Sequence, residues 1–503
     1  MSLPTCLVVA LLIGQAAPPP AFTFQPGKDF RDILNGHVIP DEGYCDQPYV
    51  VVTKDGHWLC TLTTGRGEEG ARGQHIVATI STDQGRTWSD LIDIEPANGP
   101  DASWAMPLIT PTGRVYVFYS YNGDHIDSLG DKKGIRADML GWFVYKYSDD
   151  NGRTWSSRRY RIPIRETEYD RTNDWQGKVQ IGWSVGKPII VGQSVYVPFS
   201  KIGKYLIDKS EGWFFRSDNF LSEPDPSKHT WEMLPDGDIG LRSPEGPIAE
   251  EQNLVSLSDG SLFTVYRTVA GHPCHAYSRD NGRTWTPPAF ATYTPGGRLI
   301  KHPRACPRLW KASNGKYLLW FHNHGGKSYP HRNPAWISGG LEKDGFVHWS
   351  QPEIMLYDPN PDTRISYPDL IEQDGRYWVT ATQKTVARIH EIDPQLLDGL
   401  WAQGTNKTIA HMGLALDLSA NKEMPQAAAM PRLPSLDEGG GFSIDLWLQL
   451  KDAAPDQTIL DTRDEAGKGL LLATGRDASF RLTLSDGRLT NSWESDPGTA
   501  RAG

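Results

Sequence analysis

Ser81-Thr-Asp-Gln-Gly-Arg-Thr-Trp88 has two further versions in this 503-residue chain, Ser148-Asp-Asp-Asn-Gly-Arg-Thr-Trp155 and Ser278-Arg-Asp-Asn-Gly-Arg-Thr-Trp285. Each keeps Ser first, Asp third, Gly fifth and Thr-Trp last. Those residue types at those places make a hairpin turn. The Asp carboxylate folds back on local N–H groups, the Gly takes the positive φ of a tight turn, and the Trp packs beneath it. A second, looser repeat of strand, turn and strand occupies residues 47–60, 106–118, 187–197, 253–263, 306–320 and 367–378. In each, apolar β-formers flank an Asp-Gly, Asn-Gly or similar turn, and the spacing leaves room for one four-stranded sheet per repeat. At residues 338–349 the octapeptide has decayed, with Asp344-Gly345 retained.

The octapeptide resembles the Asp box of sialidases and other bacterial-neuraminidase-repeat proteins, whose fold is a β-propeller. With six hairpins, the resemblance implies an all-β chain: a six-bladed β-propeller over residues 30–393. Asp boxes lie on the rim of such propellers, away from the family's active site, and they also occur in non-enzymatic members. They therefore imply a scaffold, and chemistry has to be argued from other residues.

Composition agrees with a turn-rich β protein, with 50 Gly, 37 Pro and 18 Trp. The net charge of -10 repels a phosphate backbone at long range, which excludes a general nucleic-acid binder and favours a glycan or glycoconjugate partner. An apolar run at residues 7–13 is too short to span a bilayer. It reads as part of a signal peptide over 1–20, giving a secreted or periplasmic protein, and no later segment reads as a membrane span. Cys45, Cys60, Cys274 and Cys306 then remain, compatible with two disulfides or with free thiols buried in strands. After residue 393 the repeat stops. Residues 394–409 read as a linker with a short helix. Residues 410–503 resemble the opening of an incomplete laminin-G or concanavalin-like jelly roll, with strands at 442–450 and around Leu470 and Phe480.

In a propeller the first strand of each blade lines the central channel, so the six repeats are where chemistry is sought. Glu250-Glu251 precedes the fourth hairpin and Arg267 ends it, Tyr367 opens the sixth, and Arg332 lies between them. This order is similar to the sialidase arrangement, which implies Tyr367 as nucleophile, Glu251 as its base, and Arg267 and Arg332 as holders of a substrate carboxylate. The chemistry is coherent. An anomeric carbon bearing a carboxylate repels an attacking Asp or Glu but not a neutral phenol. Taken singly, a strand Tyr is ordinarily core and a strand-end Arg ordinarily a rim ion pair.

Sialidases open the first blade with Tyr-Arg-Ile-Pro, whereas this chain has Tyr44-Cys45-Asp46-Gln47-Pro48. Asp46 stands where the arginine belongs, and a buried carboxylate there is expected to pair with Arg267, Arg332 or a substrate hydroxyl. The literal Tyr160-Arg-Ile-Pro163 follows the second octapeptide and is read as an outgoing strand. The acid/base role falls to Glu69 in the glycine-rich loop 64–73, with Asp46 as a rival. His324 is expected as a substrate contact. No constrained metal-ligand spacing is present, so neither metal nor cofactor is expected. The leading reading is an exo-acting, retaining glycoside hydrolase for a terminal acidic sugar. The alternatives are a polysaccharide lyase using Tyr367 and His324, and a non-catalytic glycan-binding propeller.

Overall fold

A computed structural model of the chain describes residues 29–126, 136–173, 176–177, 182–204, 209–403, 446–495 and 497–503. The expected signal peptide (1–20) and the expected strand start at 442–445 lie outside them. The chain divides into two compact units, Met1–Gly404 and Thr405–Gly503.

The first unit is all-β apart from short helices, and each predicted hairpin falls in its own antiparallel sheet. In chain order the sheets are Tyr44–Val52, Trp58–Gly65, His75–Ser81 and Ile92–Asp93; then Ala102–Ile109, Val115–Tyr121, Trp142–Ser148 and Tyr160–Arg161. The third is Ser194–Lys204 flanked by Gly182–Trp183 and Ile189–Val191, with Lys209–Ser217 and Glu232–Leu234; the fourth is Glu250–Ser256, Leu262–Arg267, Cys274–Ser278 and Ala289–Phe290. The fifth is Arg308–Lys311, Tyr317–Phe321, Ala335–Lys343 and Phe346–Trp349, with Glu353–Leu356 beside Ala335–Lys343. In the sixth, Leu370–Gln373, Arg376–Thr382 and Ala387–Ile392 are completed by His37–Ile39 from the other end of the unit, His37 facing Ile389.

The octapeptides connect third to fourth strands, as turn chemistry requires. In the first, Ser81 Oγ donates to Asp83 Oδ1 at 2.9 Å while the Gly85 N–H donates to Ser81 Oγ at 2.8 Å, and the Thr87 N–H and hydroxyl donate to the two Asp83 oxygens at 2.9 and 2.7 Å. The second and third repeat this network. Gly152 has φ +88°, and a Cβ there would meet Leu59 Cδ1 at 2.4 Å, so the second turn packs onto the sheet before it. Trp88, Trp155 and Trp285 each pack against a buried cluster between sheets. Burying an aromatic or aliphatic side chain of this size contributes about 1.5–3 kcal/mol, and Trp58, Trp213 and Trp320 are fully buried. The four cysteines are free and buried.

The helix Pro394–Ala402 starts with Asp393 capping the Gln395 N–H at 2.9 Å and buries Leu397, Leu400 and Trp401 in the first unit's core. In the second unit, Thr458–Asp461, Gly469–Thr474, Phe480–Ser485 and Thr490–Glu494 form one antiparallel meander. The second sheet that a jelly roll needs is not among the described residues.

Candidate active site

A local irregularity recurs in the leading strands of four sheets. Between Asp46 and Tyr49, Ser103 and Met106, and Glu250 and Asn253, two residues oppose one on the neighbouring strand. The sixth sheet does the same between the Ser366–Thr382 bridge and the Leu370–Val379 pair. The first residue of each bulge has positive φ: Gln47 (48°), Trp104 (65°), Glu251 (58°) and Tyr367 (46°). None is Gly, so each costs about 1–2 kcal/mol of backbone strain. Three of the four, Trp104, Glu251 and Tyr367, line one cavity of about 280 Å³.

At its centre the Tyr367 hydroxyl donates to Glu251 Oε1 at 2.9 Å, joining residues 116 apart in sequence. Burial raises the phenol's pKa well above its ordinary value and the Glu251 charge adds to this, while Arg267 and Arg332 pull it back. The phenol is therefore neutral, with a carboxylate placed to receive its proton. Arg267 Nη1 lies 2.8 Å from Glu251 Oε1 and Nη2 lies 2.7 Å from Glu250 Oε1, with a further bond from Nε to Glu250 at 2.8 Å. The structure brings these three sequence-predicted residues together; sequence reasoning did not foresee that Arg267 is held by two glutamates.

Arg332, 2 % exposed, spends its hydrogen bonds on neutral groups: the Ser366 hydroxyl at 3.0 Å and the carbonyls of Arg304 and Tyr329 at 3.0 and 3.1 Å. The Tyr329 ring, on the cavity wall, faces Arg304, Arg332 and Arg267 at 4.7, 5.8 and 6.0 Å. Met139, Trp183 and Val185 supply an apolar wall.

A further part of the wall carries Glu69 with buried acids behind it, and its pairing differs from expectation. Asp46 pairs with neither Arg267 nor Arg332. Its Oδ2 lies 2.5 Å from Lys384 Nζ and accepts the Tyr44 hydroxyl at 3.0 Å. Asp46 is 0 % exposed and is not among the cavity-lining residues, whereas Lys384 is. Burial raises the Asp46 pKa, Lys384 opposes it, and Glu69 adds to the rise. The reason for the misjudged partner is topological: Lys384, with φ +74°, follows the second strand of the sixth sheet, and its carbonyl accepts the Cys45 N–H at 2.8 Å.

Glu69 does reach the cavity, 3.1 Å from Lys384 and 3.2 Å from Arg136, which also bonds Asp138 at 2.6 Å. Burial disfavours the Glu69 charge, but Lys384 and Arg136 outweigh it and hold the carboxyl well below the usual carboxylate range. The glycine-rich loop has a local reason as well. Gly70 has φ +81°, and a Cβ there would meet Arg136 Nε at 2.6 Å.

His324 is not at the cavity. Its Nε2 pairs with the His331 carbonyl at 2.6 Å and its Nδ1 accepts the Gly326 N–H at 3.2 Å, so both ring nitrogens hold its own loop. That corrects the expected substrate contact and removes the His324–Tyr367 pair that the lyase reading needs. The buried His302 and His322 stack on each other at 5.7 Å. Arg161 lies on an outer strand and is exposed, as read from sequence.

Sequence reasoning missed Arg136, Tyr329, Arg364 and Lys384. One signal was available: Lys384 ends the sixth hairpin much as Arg267 ends the fourth.

Among family models, the BNR/Asp-box repeat matches residues 146–157. The sialidase of Clostridium perfringens is 28% identical over 222 residues, 42% of this chain and 52% of that protein. The sialidase of Paraclostridium sordellii is 27% identical over 223 residues, 42% of this chain and 49% of that protein. The chain thus carries a BNR/Asp-box repeat and is similar to sialidases over about two-fifths of its length. It spans about half the length of the curated relatives it matches. Several solved structures share its fold at low identity. The Ruminococcus gnavus intramolecular trans-sialidase aligns with TM-score 0.50 at 14% identity over 74% of this chain and 99% of that one. The Trypanosoma rangeli sialidase aligns with TM-score 0.51 at 12% over 73% and 58%. A Dyadobacter fermentans protein of unknown function aligns with TM-score 0.51 at 15% over 71% and 97%.

Proposed function

We propose that the six sheets of the first unit are the blades of a six-bladed propeller and that the chain is an exported, retaining, exo-acting glycoside hydrolase releasing a terminal acidic sugar. The observation that carries the reading is the Tyr367–Glu251 hydrogen bond of 2.9 Å inside a cavity lined by five cations and two carboxylates. In the first step Glu251 accepts the phenolic proton, the Tyr367 oxygen bonds the anomeric carbon, and the glycosidic bond breaks as its oxygen takes a proton. Water then attacks the same carbon, giving a proton to the carboxylate that protonated the leaving oxygen, and Tyr367 leaves and recovers its proton from Glu251. A phenol nucleophile is among the stated exceptions to the two-carboxylate rule for glycosidases. The arginines favour a substrate carboxylate beside that carbon.

Glu69 is the carboxyl at hand to protonate the leaving oxygen. It is an anion shared by Lys384 and Arg136, so it takes up a proton only when an aglycone loosens that pairing. Leaving groups that depart as stable anions do not need it.

The test combines Tyr367→Phe with a trapping sugar. The variant is expected to lose turnover while still binding an unreactive acidic-sugar analogue. The parent protein, incubated with 2,3-difluorosialic acid or the matching fluorinated 2-keto acid, should carry the sugar on the peptide containing Tyr367 by mass spectrometry. Turnover retained in the variant, or a label on another residue, sinks the assignment.

A further inference from the structure

Five cations line the cavity: Arg136, Arg267, Arg332, Arg364 and Lys384. Three are already neutralised. Arg136 is paired with Asp138 and Glu69, Arg267 with Glu250 and Glu251, and Lys384 with Asp46 and Glu69. Arg332 and Arg364 have no carboxylate within ion-pair distance among the described residues. Arg332 is buried against neutral oxygens, and the buried Nε of Arg364 has no hydrogen-bond partner at all. A guanidinium set left unpaired at a cavity wall is costly unless an anion arrives to satisfy it. Around the cavity, Glu69 and, behind it, Asp46 and Asp138 match Arg136 and Lys384, which leaves the unspent positive charge at Arg332 and Arg364.

Resting on the functional reading above, we propose that Arg332 and Arg364 together seat the substrate carboxylate, and that Arg364 supplies the cation whose place in the first sheet is taken by Asp46. Arg364 lies three residues before Tyr367, on the segment that enters the sixth sheet. Charge delivered from there reaches the cavity from the nucleophile's own strand, not from the first sheet. Lys384 then holds Asp46 and Glu69 and does not grip the substrate. A planar guanidinium pair selects a carboxylate by shape as well as charge, so the site discriminates a free acid from its ester.

The experiment measures binding of a 2,3-unsaturated 2-keto-acid sugar and of its methyl ester by calorimetry, using the full chain. Probes are the unsaturated analogues of sialic acid, of its deaminated nine-carbon counterpart and of an eight-carbon ulosonic acid. The parent should prefer acid over ester, and Arg364→Met should reduce that preference by about 10- to 100-fold, the loss of one charge-assisted contact. Arg364→Lys should restore only part, because an ammonium cannot make the two-pronged contact. Arg364 is half-buried, and an unchanged thermal melt of each variant shows that the comparison is between folded proteins. A parent that binds none of the acids overturns the functional reading itself. A parent that prefers the acid while Arg364→Met keeps the full preference overturns only this inference, as does a co-crystal in which the carboxylate sits on Lys384.

Discussion

Replacing Lys384 with Met tests what holds Asp46 and Glu69 together at the cavity. Lys384 Nζ stands 2.5 Å from Asp46 Oδ2 and 3.1 Å from Glu69 Oε2, and Asp46 is 0 % exposed. Methionine keeps the length of the side chain and removes the charge. Asp46 would retain the Tyr44 hydroxyl at 3.0 Å and the Gln47 N–H at 3.2 Å, but no cation. Breaking a buried pair by removing one partner costs about 3–5 kcal/mol. With two neutral donors left, we expect a loss of about 3 kcal/mol at neutral pH. The pH dependence has a definite sign. Burial already raises the Asp46 pKa, and Lys384 opposes that rise. Without Lys384 the folded protein keeps a proton that the unfolded chain releases near about 3.9. The folded state then binds more protons above that value, so stability falls as pH rises from there to the raised folded pKa, and levels off beyond it. The deficit of the variant should therefore be larger at pH 8 than at pH 5. Adding Asp46→Asn leaves no charge to bury and should recover most of the loss along with the pH dependence. Urea unfolding followed by tryptophan fluorescence measures all three proteins. An unchanged midpoint at pH 8, or an equal deficit at both pH values, refutes the claim that Lys384 stabilises a buried carboxylate.

Two further outcomes follow from the geometry. Glu69→Gln should cut the hydrolysis of alkyl-linked sugars by about 10²- to 10⁴-fold while sparing aryl glycosides with good leaving groups; equal losses on both substrates would remove Glu69 from proton transfer. Gly152→Ala combines φ +88° with a Cβ 2.4 Å from Leu59 Cδ1 and should cost about 2–4 kcal/mol by denaturant titration; a stability equal to the parent's would show that the octapeptide turn yields without strain.

The parts of the fold that were legible are those with short-range causes. An Asp that accepts from Thr four residues on, and a Gly that must turn, leave a local signature, and so do hairpins built from alternating β-formers around Asn-Gly or Asp-Gly. Tyr367 and Glu251 were singled out because their order along the repeats resembles the sialidase arrangement. The sequence showed that Asp46 was charged but not which cation would meet it, since Lys384 lies 338 residues away. The repeats as read from the sequence begin at Met106, Asn253 and Tyr367. The residues that share its bulge are Trp104 and Glu251, two positions earlier, because the extra residue lies on the leading strand. Arg136 comes from a segment between the second and third strands of its sheet, outside every repeat, and nothing in its local sequence marks it.

The pairing of His37–Ile39 with Ala387–Ile392 bears on how such a chain is made. Within the first unit, this earliest of the described strands is the outer edge of the last sheet, the one that continues from Tyr367. Until some 350 intervening residues have left the ribosome, that early strand has no partner, and the late sheet emerges with an open edge able to recruit a strand from another chain. Closing a loop of this length adds only a logarithmic entropy cost, but contacts so distant in sequence slow the search. During synthesis the first unit therefore has five sheets available to fold while the sheet after Tyr367 is unfinished, so completion of the cavity should trail formation of most of the β-structure.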